Sequence, residues 1–224
     1  MLIQIPKLLS QQQLTAIQNT LSNAEFIDGK LSAGKMAKTV KQNEEIASSN
    51  PLLTQLNNIV MNTLVKHTLY IAAALPKNIA TPFYAKYTKG MAYGDHIDDP
   101  IMGSQPHAYR SDVSITIFLN SPDDYTGGEL VINNEFGQQK VKLSAGDAVM
   151  YPSSSIHHVN EVTEGERLVA VTWVQSMVRS AEQRALLFEL GQSRDQLLAE
   201  NQKSDITTRI NNSYANLLRM WADL

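Results

Sequence analysis

His96-Ile97-Asp98 places an imidazole and a carboxylate two positions apart, and His157 adds a second imidazole in another strand-like stretch. Two imidazoles and one carboxylate are the set that holds Fe(II) on one face and leaves the other face open to oxygen chemistry. Residues two apart in a strand project to the same side. His96 and Asp98 would then meet one ion, with the third ligand supplied from elsewhere in the sheet. The same alternation sends Asp99 to the opposite face if the segment is extended. It does not choose between His157 and its neighbour His158. An isolated H-x-D is more often a surface pair than a metal site, so the weight falls on what surrounds the second histidine.

That surrounding is Tyr151-Pro152-Ser153-Ser154-Ser155-Ile156-His157-His158-Val159, continuing through Val162-Thr163-Glu164-Gly165-Glu166-Arg167 to Val171-Thr172-Trp173. Upstream, Tyr87 and Gly90 lead into Tyr93-Gly94-Asp95-His96-Ile97-Asp98, and Gly127-Gly128-Glu129-Leu130 and Gly146-Asp147-Ala148 fall between. On these residues the chain resembles the Fe(II)/2-oxoglutarate dioxygenases of the prolyl-4-hydroxylase-like type, closest to the bacterial PKHD-type hydroxylases. Their second metal strand reads H-x-V-x-x-V-x-x-G-x-R. The resemblance covers the whole chain and is strongest over residues 84–175.

The resemblance implies Fe(2+) on His96, Asp98 and His157, its spacing to Val159 and Arg167 selecting His157 over His158. It implies 2-oxoglutarate as cosubstrate, with Arg167 on the far carboxylate; a planar guanidinium can grip a carboxylate with two parallel bonds. Tyr87 and Thr172 are further candidates for cosubstrate contact, and Tyr93 and His107 for the substrate-facing wall. Some relatives carry a tyrosine at Phe118 that bonds the same carboxylate; phenylalanine cannot, so Thr116 or Thr172 would have to replace it. No catalytic residue is implied beyond the metal and cosubstrate ligands. The reaction would insert one oxygen atom of O2 into a substrate C–H bond and form succinate and CO2, with L-ascorbate keeping the iron reduced. Asp98 is a true carboxylate, which favours hydroxylation over halogenation. The substrate would be an amino-acid side chain, a peptide or a small molecule linked with iron uptake.

The elements that must carry these residues read in three blocks. Ser10 and Gln13 form a capping-box pattern ahead of Leu14, Ile17 and Leu21, predicting a helix over residues 11–22. Asn50-Pro51 starts a second helix with Leu52, Leu53, Leu56, Ile59, Val60 and Leu64 as its apolar face. His67 closes it as a structural residue. Between the two helices, Gly29 and Gly34 mark a looser, substrate-facing segment. Over residues 79–175 short alternating stretches predict many strands, hence a β-sandwich or barrel. Residues 133–137 (Asn133-Asn134-Glu135-Phe136-Gly137) read as a hairpin turn. Beyond Gln175 the helical period returns: Leu186, Leu187, Leu190, Leu197 and Leu198 form one helix, with Gly191 as its weak point. Ile206, Ile210, Tyr214, Leu217 and Trp221 form another, capped by Asp205.

The expected architecture is therefore mainly β with flanking helices. The resemblance specifies a double-stranded β-helix (jelly-roll) core, N-terminal helices packed outside and a C-terminal helical extension. Residues 1–177 would form the dioxygenase domain, with the core at 79–177 and the N-terminal helices at 11–66; residues 178–224 would form the extension. Its two apolar stripes must bury against the barrel or across a homodimer.

Composition narrows the function classes. An apolar share of 43% supports a packed core, and a net charge of −3 gives no general attraction to nucleic acid or anionic membrane. There is no cysteine, and the first residues lack the basic start of a secretion signal. A cytoplasmic enzyme with a small-molecule or peptide substrate is expected, without nucleic-acid or membrane partners. Two other classes fit a metal-bearing barrel: a cupin-like metal-binding protein without oxygenase activity, and a non-catalytic interaction module on the same fold. The first normally needs more suitably placed histidines, and the second has no physical need of Arg167.

Overall fold

The structure, a computed structural model, describes residues 1–134 and 136–224. The N-terminal block is more strand-rich than its helical periodicity suggests. It comprises β1 (Ile3–Ile5), α1 (Gln11–Leu21), β2 (Phe26–Asp28), α2 (Ala37–Val40), β3 (Lys41–Gln42), β4 (Glu44–Ile46), α3 (Leu52–Leu64) and α4 (Thr68–Ala74). Helix α1 begins at Ser10 with the reciprocal capping box its sequence encodes. Helix α3 starts at Leu52 with Pro51, one residue later than expected, at its N-cap, and the Asn50 side chain accepts from the Leu52 amide at 3.0 Å. α4 follows a turn at His67 and had no separate sequence signal. The segment read as a loose loop around Gly29 and Gly34 folds into a 3-10 turn, α2 and two short strands.

The barrel follows with β5 (Pro76–Ile79), β6 (Phe83–Thr88), β7 (Ala92–His96), β8 (Ile101–Met102), β9 (Tyr109–Arg110) and β10 (Val113–Phe118). It continues through β11 (Tyr125–Gly127), β12 (Leu130–Asn134), β13 (Gly137–Val141), β14 (Ala148–Pro152), β15 (His157–Val159) and the long β16 (Val162–Ser176). One antiparallel sheet runs β1-β14-β10-β16-β6-β4-β2, with β5 and β11 also paired to β16. The opposing sheet runs β13-β12-β15-β7-β3. β12 and β13 pair as the expected hairpin, Asn134 opposite Gly137; Glu135 of its turn lies outside the described residues. The two sheets face one another across Tyr87, Phe118, Leu130, Ile132, Tyr151, Val159 and Val169, which form the inner core of a jelly roll.

Strand β10 explains how a sheet buried on both faces can still alternate. Ile115 and Ile117 point outward, where they pack with Leu14, Ile17, Leu56 and Val60 of α1 and α3. Ser114 and Thr116 point into the barrel and are just as buried. Polar residues on the inner face of a closed barrel must be hydrogen-bonded or serve a ligand. The alternation therefore marks a site.

The tail forms α5 (Ala181–Glu200) and α6 (Asp205–Trp221). Ser204, one residue earlier than expected, caps α6 by accepting from the Thr207 amide. Helix α5 runs unbroken through Gly191, where a Cβ would lie 3.1 Å from the Tyr214 ring. The glycine read as a weak point is where α6 approaches closely. Leu187, Tyr214, Leu217 and Trp221 gather with Leu75 and Val178, so much of the stripe packs within this chain, while Leu186 and Ile206 stay exposed. Arg184, buried, donates to the carbonyls of Val178 and Asp112 and ties α5 to the start of β10. Among the described residues no helix is long and apolar enough to cross a membrane.

Candidate active site

His96 ends β7 and sits in register opposite His157, the first residue of β15. Their ring centroids are 4.2 Å apart. Each Nδ1 faces a carbonyl: Gly94 at 2.8 Å for His96, Ser155 at 3.0 Å for His157. A carbonyl only accepts, so each Nδ1 carries the proton and each Nε2 is left as a free donor to a metal. Burial, then His157, pushes the His96 imidazole down to about 4, so at neutral pH it is in its ligating form.

Asp98 is not on a strand. β7 stops at His96, and the carboxylate is placed by Ser114, whose hydroxyl donates to its Oδ2 at 2.5 Å. Ser153 supports Ser114 at 2.7 Å, and its carbonyl accepts from the Asp98 amide at 3.3 Å. His96, Asp98 and His157 each offer one ligand atom, all within 4.8 Å of one another. His158 turns away to Asp95 at 2.7 Å and to Asn160, which separates it from the cluster. Asp99 stands outside the cluster but still lines the cavity, against the expectation from an extended segment.

The cluster opens into a cavity of about 540 Å3, a size typical of small-molecule sites. Arg167, on the same cavity, is only 1% exposed. Its guanidinium carbon lies 5.0 Å from the Tyr87 ring and 5.8 Å from that of Phe118. Its buried Nε has no partner, and no carboxylate pairs with it among the described residues. Burial, partly offset by Arg167, holds the Tyr87 hydroxyl up at about 12, so it is a neutral donor.

The remaining candidates divide. Tyr93 lines the cavity and stacks on His96, centroids 3.6 Å apart and planes 11° from parallel. Thr116 lines the cavity, whereas Thr172 does not: its hydroxyl donates to the Ala80 carbonyl at 2.7 Å on the other face of β16. Thr172 is thereby removed as a cosubstrate contact. His107 is exposed between β8 and β9 and is not part of the cavity lining. Trp173 also lines the cavity, with its buried Nε1 unpartnered. Sequence reasoning missed Ser114 and Ser153, although the inward polar positions of β10 were a signal for Ser114. It also missed Ser32, Lys41, Asn43 and Glu45, which wall the cavity from the N-terminal block and had no motif to announce them.

The residues fit the two groups this chemistry requires. Two imidazoles and a carboxylate suit ferrous iron. A buried guanidinium flanked by aromatic faces, with an orphaned Nε, suits a carboxylate anion.

Comparison with known proteins agrees. Residues 82–175 match the 2OG-Fe(II) oxygenase superfamily and residues 182–223 the PKHD-type hydroxylase C-terminal domain. A PKHD-type hydroxylase of Thioalkalivibrio sulfidiphilus is 49% identical, with 100% of both chains covered. Among solved structures, a Trichoplax adhaerens prolyl hydroxylase in complex with a hypoxia inducible factor peptide fragment shares the fold. Its TM-score is 0.56 at 18% identity, over 83% of this chain and 86% of that one. HygX of Streptomyces hygroscopicus, with nickel, 2-oxoglutarate and hygromycin B bound, has a TM-score of 0.52 at 12% identity, covering 79% and 84%. With full-length identity of this order, and a jelly roll that brings the histidines and Asp98 into one cavity with Arg167, the chain belongs to the PKHD-type hydroxylases and is a 2-oxoglutarate-dependent dioxygenase.

Proposed function

We propose that this dioxygenase inserts one oxygen atom of O2 into a C–H bond of its substrate while 2-oxoglutarate becomes succinate and CO2. His96, Asp98 and His157 hold Fe(2+), and Arg167 takes the far carboxylate of 2-oxoglutarate with Tyr87 beside it. The observation that carries this reading is a metal-ligand cluster and a buried, acid-free guanidinium on one cavity. Bound iron and 2-oxoglutarate supply O2 activation and the oxidising equivalent.

The chain's own residues orient and shield. The Gly94 and Ser155 carbonyls fix the two imidazoles, and Ser114 fixes Asp98. Arg167 neutralises the far carboxylate, and its planar fork sets the direction from which that anion enters. Leu130, Val159 and Val171 line the cavity with apolar surface that excludes water. L-ascorbate would serve as the reductant that returns oxidised iron to the ferrous state.

The substrate is an amino-acid side chain, a peptide or an iron-uptake-related small molecule. Solved relatives carry a peptide fragment in one case and hygromycin B in another, so fold alone does not select between them. The test is anaerobic loading with Fe(II) and 2-oxoglutarate, admission of O2, and measurement of succinate. Succinate formation that requires Fe(II) and stops with a chelator is expected. Its absence, with and without ascorbate and across a metabolite and peptide panel, would overturn the reading.

A further inference from the structure

The N-terminal block contributes a charged wall to a cavity whose other charged groups, Asp99 apart, already have roles. Lys41 and Glu45 are 6% and 7% exposed and pair at 2.5 Å. Lys41 also donates to the Ser32 hydroxyl at 2.9 Å, and Ser32 donates to the second Glu45 oxygen at 2.6 Å. Asn43, between them in sequence, is 4% exposed, and its buried Oδ1 lies against Gly29 without a hydrogen-bond partner. All four residues line the cavity that holds the metal cluster. Lys41 reaches to 5.4 Å from the Tyr93 ring, which stacks on His96. The wall is thus one aromatic ring away from the metal ligands.

Counting hydrogen-bond capacity shows what this wall can accept. An ammonium has three N–H donors; two are committed, to Glu45 and Ser32. A carboxylate can accept about four bonds; two are filled here. One donor on Lys41 and spare acceptor sites on Glu45 remain with the ion pair intact. A ligand carboxylate bound by Lys41 would draw it from Glu45 and leave that carboxylate buried and uncompensated. A ligand ammonium would do the same to Lys41. Either outcome leaves a buried charge unpaired and carries its desolvation penalty. A zwitterion would have to break the 2.5 Å pair. An uncharged group carrying its own donor and acceptor avoids all three costs.

We propose that Ser32, Lys41, Asn43 and Glu45 form the substrate-recognition wall of this enzyme and that it takes an amide group, C=O toward Lys41 and N–H toward Glu45. The proposal rests on the oxygenase reading above and names the substrate chemistry of that same cavity. The competing role is a staple: Lys41 is on β3 of one sheet and Glu45 on β4 of the other, so the pair also joins the sheets. A staple has no ligand preference.

The experiment is ligand-observed NMR on anaerobic, metal- and 2-oxoglutarate-loaded protein with four matched probes. N-acetyl-L-alanine amide is neutral, N-acetyl-L-alanine an anion, L-alanine amide a cation and L-alanine a zwitterion. The neutral diamide should bind about tenfold more tightly than the two ions. Glu45→Gln should move the preference to the anion, and Lys41→Met to the cation. Titration of each variant with 2-oxoglutarate reports whether the cavity is still formed; if a variant does not fold, the wild-type ranking decides alone. Wild-type preference for any charged or zwitterionic probe, no binding of the diamide, or an unchanged ranking in folded variants would overturn the proposal. Failure to bind 2-oxoglutarate at all would instead strike the oxygenase reading. A capped penta-alanine amide separates the two sources of an amide: tighter binding than the single residue assigns a peptide, equal binding a small molecule.

Discussion

The two ends of the cavity are built on opposite principles. At the metal end every ligand side chain has a support that is already in place: Gly94 and Ser155 carbonyls on the histidines, Ser114 on Asp98. At the other end Arg167 has aromatic faces around it and no acid. A buried charge without a counter-ion is unfavourable to the fold, so the metal end is complete as a protein structure and the arginine end is not. The difference shows where each part of the binding energy originates. The metal gains from pre-organisation, and the cosubstrate gains from relieving an electrostatic cost that folding left standing.

The hardest test of the metal end removes a ligand. Asp98→Ala or His157→Ala should abolish stoichiometric Fe(II) binding in an anaerobic titration, whereas His158→Ala, whose ring is engaged with Asp95, should bind nearly as wild type. Binding retained in His157→Ala and lost in His158→Ala would reverse the ligand assignment.

The arginine end makes a double prediction of opposite signs. Arg167→Met should cost 2-oxoglutarate binding about 3–5 kcal/mol, because the far carboxylate would then be buried unpaired. The same substitution should leave the metal- and cosubstrate-free protein as stable as wild type or more so, since it replaces a buried unpaired charge by an apolar chain of similar length. Arg167→Lys should restore only part of the affinity, an ammonium being unable to form the two-pronged contact. A large loss of thermal stability in Arg167→Met would show that the guanidinium is held by partners other than an incoming anion.

Removing a support is milder than removing a ligand. Ser114→Ala keeps the Asp98 carboxylate but releases its orientation, and loss of such an outer partner typically costs about tenfold to a hundredfold in metal affinity. Fe(II) titration should place the variant between wild type and Asp98→Ala. Affinity equal to wild type would mean the loop after β7 positions Asp98 by itself.

The same contrast separates what was legible in the sequence from what was not. His96 could be read as a candidate from strand alternation, whereas His157 and Arg167 could be read only through the spaced motif that carries the family resemblance. Asp98 joins the cluster its spacing predicted, but by another geometry: β7 ends at His96, and a serine from β10 does the positioning. Lys41 and Glu45 were silent because residues 29–46 fold into elements of two to four residues, too short for any period to show. Gly191 was read as a helix defect because its function, close approach by Tyr214, depends on a helix far along the chain.

Thr172 offers the smallest and most specific test. β16 is a continuous strand, and Arg167 and Thr172 lie five positions apart. An odd separation in a strand puts two side chains on opposite faces, so both could not reach one cosubstrate. The structure agrees, with the Thr172 hydroxyl given to the Ala80 carbonyl and the residue fully buried. Thr172→Val keeps the β-branched shape and removes that one donor. Stability should fall by about 1 kcal/mol, up to about 3 if the carbonyl is left unsatisfied, while 2-oxoglutarate affinity stays within twofold of wild type. Thermal unfolding and a cosubstrate titration on the same sample separate the two roles. A severalfold loss of cosubstrate affinity without loss of stability would put the hydroxyl on the cavity side and return Thr172 to the role its sequence position suggested.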